Sequence, residues 1–111
     1  MKIKTQEYDE LTVVELQGEM TSDFTEMLRN TLENVVSKRK PGMILDMSQV
    51  AFVDSKGLEL LLWARDYSNE NSCAFKVAGL SENCEKILEI TGLFKEFDKY
   101  AELSQAVRSM A

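Results

Sequence analysis

The sequence contains no histidine. Imidazole general bases, Ser-His-Asp and Cys-His nucleophile systems, and histidine metal ligands are therefore excluded. The two cysteines, Cys73 and Cys84, form no CxxC pair. They are too few for a disulfide scaffold or a closed structural zinc site, and are expected as small buried apolar residues in a reducing cytosol. One proline and five glycines leave no room for collagen-like or low-complexity character. No apolar run approaches the ~20 residues that cross a bilayer. The longest, Leu58 to Ala64, is interrupted by Glu59, and the opening MKIKTQEY lacks the apolar core of a signal peptide. A cytoplasmic protein is expected. Basic residues are the minority, 13 against 19 acidic, for a net charge of −6. Such a balance provides no footprint for duplex nucleic acid or an anionic membrane surface. GxxxxGK[ST], GxGxxG and Gly-x-Ser-x-Gly are all missing, so neither a nucleotide cradle nor a serine-hydrolase elbow is recognisable, and no cofactor is implied.

What is present fits one globular domain spanning 1–111, with 44% hydrophobic and 29% charged residues. Residues 2–8 and 11–16 read as a β-hairpin ended by Gly18. Phe24, Met27, Leu28, Thr31, Leu32, Val35 and Val36 recur at helical spacing and predict a helix over 22–38. Thr21 or Ser22 is its expected cap, Lys38, Arg39 and Lys40 suit its negative end, and Pro41-Gly42 stops it. Met43 to Met47 is apolar without alternation, the pattern of a strand covered on both faces. A polar break at Ser48-Gln49 is expected before Val50–Val53. A second helix runs from Ser55 to about Ser68, a strand covers 72–78, and Ser81 caps a third helix. Gly92-Leu93 closes that helix with a left-handed turn. A short strand or loop over 94–100 and a helix bearing Leu103, Ala106, Val107 and Met110 complete the chain. Alternating strands and helices imply an α/β fold: a mostly parallel sheet of four or five strands with about four helices packed on it.

Two places offer chemistry. Asp46 and Asp54 flank one expected loop and could do acid/base work or hold a metal, although 19 acids in so short a chain make chance neighbours common. Asp54-Ser55-Lys56-Gly57 is more distinctive, because it turns a strand into an apolar helix. Asp54 or Ser55 there is a natural N-cap. The same position suits a phosphorylated hydroxyl, whose dianion the free amides and the helix dipole would stabilise. Lys56 would assist and Asp54 would oppose it.

The stretch MILDMSQVAFVDSKGLELLL, Met43 to Leu62, resembles the core signature of STAS domains, and more narrowly that of bacterial anti-sigma factor antagonists. Leu16-Gln17-Gly18-Glu19-Met20 and Thr91-Gly92-Leu93-Phe94 resemble two weaker family motifs. The resemblance implies a small β-sheet with packed helices and a protein–protein switch rather than an enzyme. It makes Ser55 the phosphoacceptor and the surrounding Thr21, Ser22, Asp54, Lys56, Gly57 and Glu59 the partner surface. The implied partners are an anti-sigma factor, itself a serine kinase of the histidine-kinase-like ATPase type, and a Ser/Thr phosphatase. Unphosphorylated antagonist would bind the anti-sigma factor and free a sigma factor, and phosphorylation would weaken that binding. The alternative is a STAS module that scaffolds a transport or stress-signalling assembly, with Ser55 as a structural cap. Two positions depart from the family pattern: Lys56 stands where Ser or Thr is usual, and Thr21 where Asp is frequent.

Overall fold

The apolar run Met43–Met47 lies in the third of five strands, at the middle of a single sheet. In this computed structural model, which describes residues 1–110, the strands are β1 (Lys2–Glu7), β2 (Leu11–Met20), β3 (Gly42–Val53), β4 (Ala74–Ala78) and β5 (Asp98–Tyr100). Among the described residues the α-helices are α1 (Thr25–Ser37), α2 (Ser55–Glu70), α3 (Glu82–Ile90) and α4 (Leu103–Ser109), with 3-10 turns at Ser22–Phe24 and Phe94–Glu96. The strands lie side by side in chain order. The β1–β2 pair is antiparallel and the other three pairs are parallel. This is the mostly parallel α/β sheet that the alternation of elements implied.

The unbroken apolar run of β3 follows from its two-sided cover. Met43, Leu45 and Met47 face the main core, while Ile44 faces the opposite side, against Leu11, Val13, Ala78 and Ala106. All four are fully buried. A strand with neighbours on both edges and cover on both faces gains from an apolar side chain at every position. On the main face α1 contributes Leu28, Leu32, Val35 and Val36, and α2 contributes Leu60, Leu61 and Ala64. The short α4 covers only part of the other face.

Helix ends follow their local chemistry. The Ser81 hydroxyl accepts the Cys84 N–H at 3.2 Å, and Gly92, at φ 76°, lets Leu93 donate back to the Leu88 carbonyl at 2.8 Å. Other expectations are revised. Ser48-Gln49 does not break the strand: β3 runs through both, and irregular pairing with β2 around Glu15–Gln17 absorbs the polar pair at the surface. Likewise β2 continues past Gly18 to Met20. The first turn of the expected 22–38 helix is 3-10, and Met27 of its apolar stripe stays 48% exposed. Lys38 is the C-cap of α1, its N–H donating to the Val35 carbonyl at 3.2 Å, but the Lys38 and Lys40 side chains turn to β1. They reach Glu7 of β1 at 2.9 and 3.7 Å, and Arg39 takes a left-handed conformation, φ 59°, to turn the chain. The hydrogen bond from Lys38 holds the Glu7 carboxyl below its ordinary range.

Candidate functional site

At the end of β3 the chain turns through Asp54 into α2, and Asp54 fastens that turn in three ways. Its Oδ1 accepts the Gly57 N–H at 2.8 Å, which caps α2. Its Oδ2 accepts the Ser22 N–H at 3.1 Å, and its own N–H donates to the Met20 carbonyl at 3.1 Å. A carboxylate suits the position because its two oxygens satisfy orphan amides from two separate segments. The β2–α1 connection and the β3–α2 turn are thereby bound to each other.

Gly57 is buried at this junction. A Cβ there would lie 2.6 Å from the Met20 carbonyl oxygen and 2.9 Å from Val53 Cγ1. Glycine is thus required by close approach, with α2 seated directly on the end of β2.

The cap is Asp54 rather than Ser55. Ser55 is the first residue of α2, exposed, and its hydroxyl makes no hydrogen bond among the described residues. Lys56, also exposed, pairs with Glu59 at 3.4 Å. The expected capping of the first helix by a Thr21 or Ser22 side chain is not formed; Ser22 contributes its backbone amide to Asp54 instead, and Thr25 Oγ1 donates to the Ser22 carbonyl at 3.0 Å.

Between the N-terminal ends of α1 and α2 lies an open cleft of about 410 Å³, lined by Ser22, Thr25, Arg29, Lys56, Glu59 and Leu60. Ser22, Lys56 and Glu59, expected on the partner surface, line it directly, whereas Thr21, expected beside them, does not. Asp54 and Gly57 sit beneath as its support, and Ser55 adjoins Lys56 at the start of the same helix. Thr25 and Arg29 were not singled out from the sequence. Their spacing from Ser22 places them on one side of α1, but every solvated helix face shows such spacing, and only the crossing with α2 selects them.

Asp46 and Asp54 are not brought together. They belong to one continuous extended segment, eight residues apart, and Asp46 accepts the Ser48 N–H at 3.0 Å within β3. Among the described residues no group of three or more acidic or cysteine side chains is placed to hold a metal ion. The two cysteines are buried, and burial pushes both thiols up from their ordinary pKa.

Residues 2–109 match the STAS domain model. The chain belongs to the STAS domain family. Within that family it is similar to an anti-sigma F factor antagonist from Paenibacillus polymyxa, 23% identical over 96 residues, covering 86% of this chain and 82% of that one. A solved anti-sigma factor antagonist from Mycobacterium paratuberculosis is 25% identical with a TM-score of 0.87, covering 98% of this STAS domain and 92% of that chain. The Bacillus cell fate determinant SpoIIAA in its phosphorylated form shares the fold, at 18% identity and a TM-score of 0.76 over 99% of this chain and 100% of that one. No helix among the described residues of this STAS domain is long and apolar enough to cross a membrane.

Proposed function

We propose that this STAS domain is an anti-sigma factor antagonist that works by partner switching, with Ser55 as its phosphoacceptor. The observation that carries this is the state of Ser55: an exposed hydroxyl, unbonded among the described residues, on a turn that Asp54 and Gly57 hold in place. The domain binds and is modified; the nucleotide and the catalytic groups belong to its partner, an anti-sigma factor kinase of the histidine-kinase-like ATPase type. In the transfer, the bond between the γ-phosphorus of ATP and its bridging oxygen breaks. A bond from Ser55 Oγ to that phosphorus forms, ADP leaves, and the hydroxyl proton passes to a base of the kinase. A Ser/Thr phosphatase reverses the state by hydrolysis.

The electrostatics give the switch its direction. Phosphate adds about −1.5 to −2 charge at neutral pH. The Gly57 amide, the natural ligand for an anion at this helix end, is already taken by Asp54, and Lys56 is engaged by Glu59. The dianion therefore sits beside the Asp54 carboxylate, and the Gly57 amide is not free to bind it. A partner packed over the turn must desolvate it, which costs several kcal/mol unless new cations are supplied.

The test uses the purified histidine-kinase-like ATPases of the source organism. Incubation with ATP should place one phosphate on Ser55, read by mass spectrometry, and none on Ser55→Ala. Calorimetric titration should show weaker binding for phosphorylated protein and for Ser55→Asp than for the unmodified chain, with unchanged circular dichroism. Binding that is equal in both states would leave the phosphorylation-independent scaffolding module as the better account.

A further inference from the structure

Resting on the partner surface proposed around Ser55, we infer that Arg29, placed over the ring of Trp63, is a recognition point for a carboxylate side chain of the binding partner. The guanidinium carbon of Arg29 lies 4.6 Å from the centroid of the Trp63 ring. Trp63 in turn stacks on Tyr67, with centroids 4.9 Å apart and planes 15° from parallel. The Arg29 guanidinium on α1 thus neighbours a stacked aromatic pair on α2. A guanidinium held over a ring face is restrained there while its N–H donors can still point outward, and their fork matches the two oxygens of a carboxylate.

The edge is unused. Among the described residues the Arg29 guanidinium makes no hydrogen bond and no ion pair, in a chain with 19 acidic residues. The half-buried Arg65 shows the contrast, since its donors are spent on Asp66 and Glu96, each at 3.0 Å. The other cation of the cleft, Lys56, is engaged by Glu59. Arg29 is therefore the uncommitted cation lining the open cleft that Ser22, Lys56 and Glu59 share. Arginine and tryptophan are also among the side chains enriched where binding energy concentrates at interfaces. The complementary partner group is anionic. The proposed switch favours a carboxylate brought by the partner over the phosphate of Ser55 itself, because binding belongs to the state in which that phosphate is absent.

Affinity is therefore measured on the unphosphorylated chain, against the same purified ATPases, for wild type, Arg29→Gln, Arg29→Lys and a control on α4, Arg108→Gln. Arg29→Gln is expected to weaken binding by about tenfold or more and to flatten its salt dependence. Arg29→Lys should lose most of the same affinity, because an ammonium cannot reproduce the planar fork. The control should bind as wild type. Trp63 is the only tryptophan, so its emission reports directly whether each variant keeps the stack and whether a partner closes over it. Binding of Arg29→Gln within about twofold of wild type, with the fold intact by circular dichroism, overturns the inference; if Ser55 is still phosphorylated, the switch survives that loss. Dependence on Arg29 without modification of Ser55 upholds the inference and removes the switch. Failure of every ATPase to bind overturns both.

Discussion

Replacing Gly57 with alanine separates close approach from helix propensity, because the two make opposite demands. Alanine at an exposed helical position would stabilise by about 0.5–1 kcal/mol. Here the added Cβ would lie 2.6 Å from the Met20 carbonyl oxygen, 2.9 Å from Val53 Cγ1 and 3.0 Å from Met20 Cγ. Carbon and oxygen need about 3.3 Å, so the start of α2 must withdraw by roughly 0.7 Å. The clash is with backbone, which cannot swing aside as a side chain would. Overpacking of this kind costs about 1–3 kcal/mol. Withdrawal also stretches the Asp54–Gly57 and Asp54–Met20 hydrogen bonds, each worth about 1 kcal/mol. After the propensity gain, the net loss is about 2–4 kcal/mol, or roughly 8–16 °C in Tm for a chain of this size. Urea unfolding followed by Trp63 fluorescence and by far-UV circular dichroism measures it. Gly92→Ala is the informative contrast: nothing lies within 4 Å of its added Cβ, so only its φ of 76° opposes the substitution, at about 1 kcal/mol. Wild-type or higher stability for Gly57→Ala would refute the argument that α2 is seated on the β2 carbonyl.

Ser55→Ala should melt within about 0.5 kcal/mol of wild type, since its hydroxyl caps nothing, whereas Asp54→Ala should lose about 1–2 kcal/mol with its cap and its bond to Ser22. Thermal unfolding of the pair checks this, and equal losses would return the capping role to Ser55. The Thr12 hydroxyl is buried without a hydrogen-bond partner among the described residues, so Thr12→Val is expected to stabilise by about 1 kcal/mol in urea titrations; a destabilised variant would contradict that. Both cysteine thiols are buried, with burial raising their pKa, so a thiol reagent at mildly alkaline pH should label neither in the native protein and both in denaturant. Rapid native labelling would show that the core around Cys73 or Cys84 opens readily.

The sheet and its helices were legible because burial writes itself into residue type. Met43–Met47 must be apolar on both faces, and Leu28, Leu32, Val35 and Val36 must lie on one side of α1. The break wrongly expected at Ser48-Gln49 shows the limit of that signal. Polar residues interrupt a strand only when they must be buried, and here a bulged pairing with β2 lets both remain exposed. The basic triplet after α1 was legible only in part: Lys38 ends the helix as expected, but the partner of the Lys38 and Lys40 side chains, Glu7 of β1, is distant in sequence. At the site, the Asp54-Ser55-Lys56-Gly57 turn could be read locally. The bond from Ser22 to Asp54 could not, since it joins residues 32 positions apart, and neither could the meeting of Arg29 with Trp63 across two helices.

The side-by-side strand order has a consequence for how the chain is made. Every strand after the first pairs with the strand synthesised just before it, so a nascent chain never has to hold a gap open for a segment still to come. In sheets whose middle strand is flanked on both sides by later ones, the apolar centre waits exposed. Here β3, the greasiest strand, finds β2 and α1 already emerged and needs only β4 to close its second edge. The sheet grows outward in one direction, towards β5 and α4. Loss of the C-terminal elements would therefore peel the sheet from its late edge, and the Asp54 turn, built from β2, β3 and the ends of α1 and α2, lies wholly within the part that is laid down first.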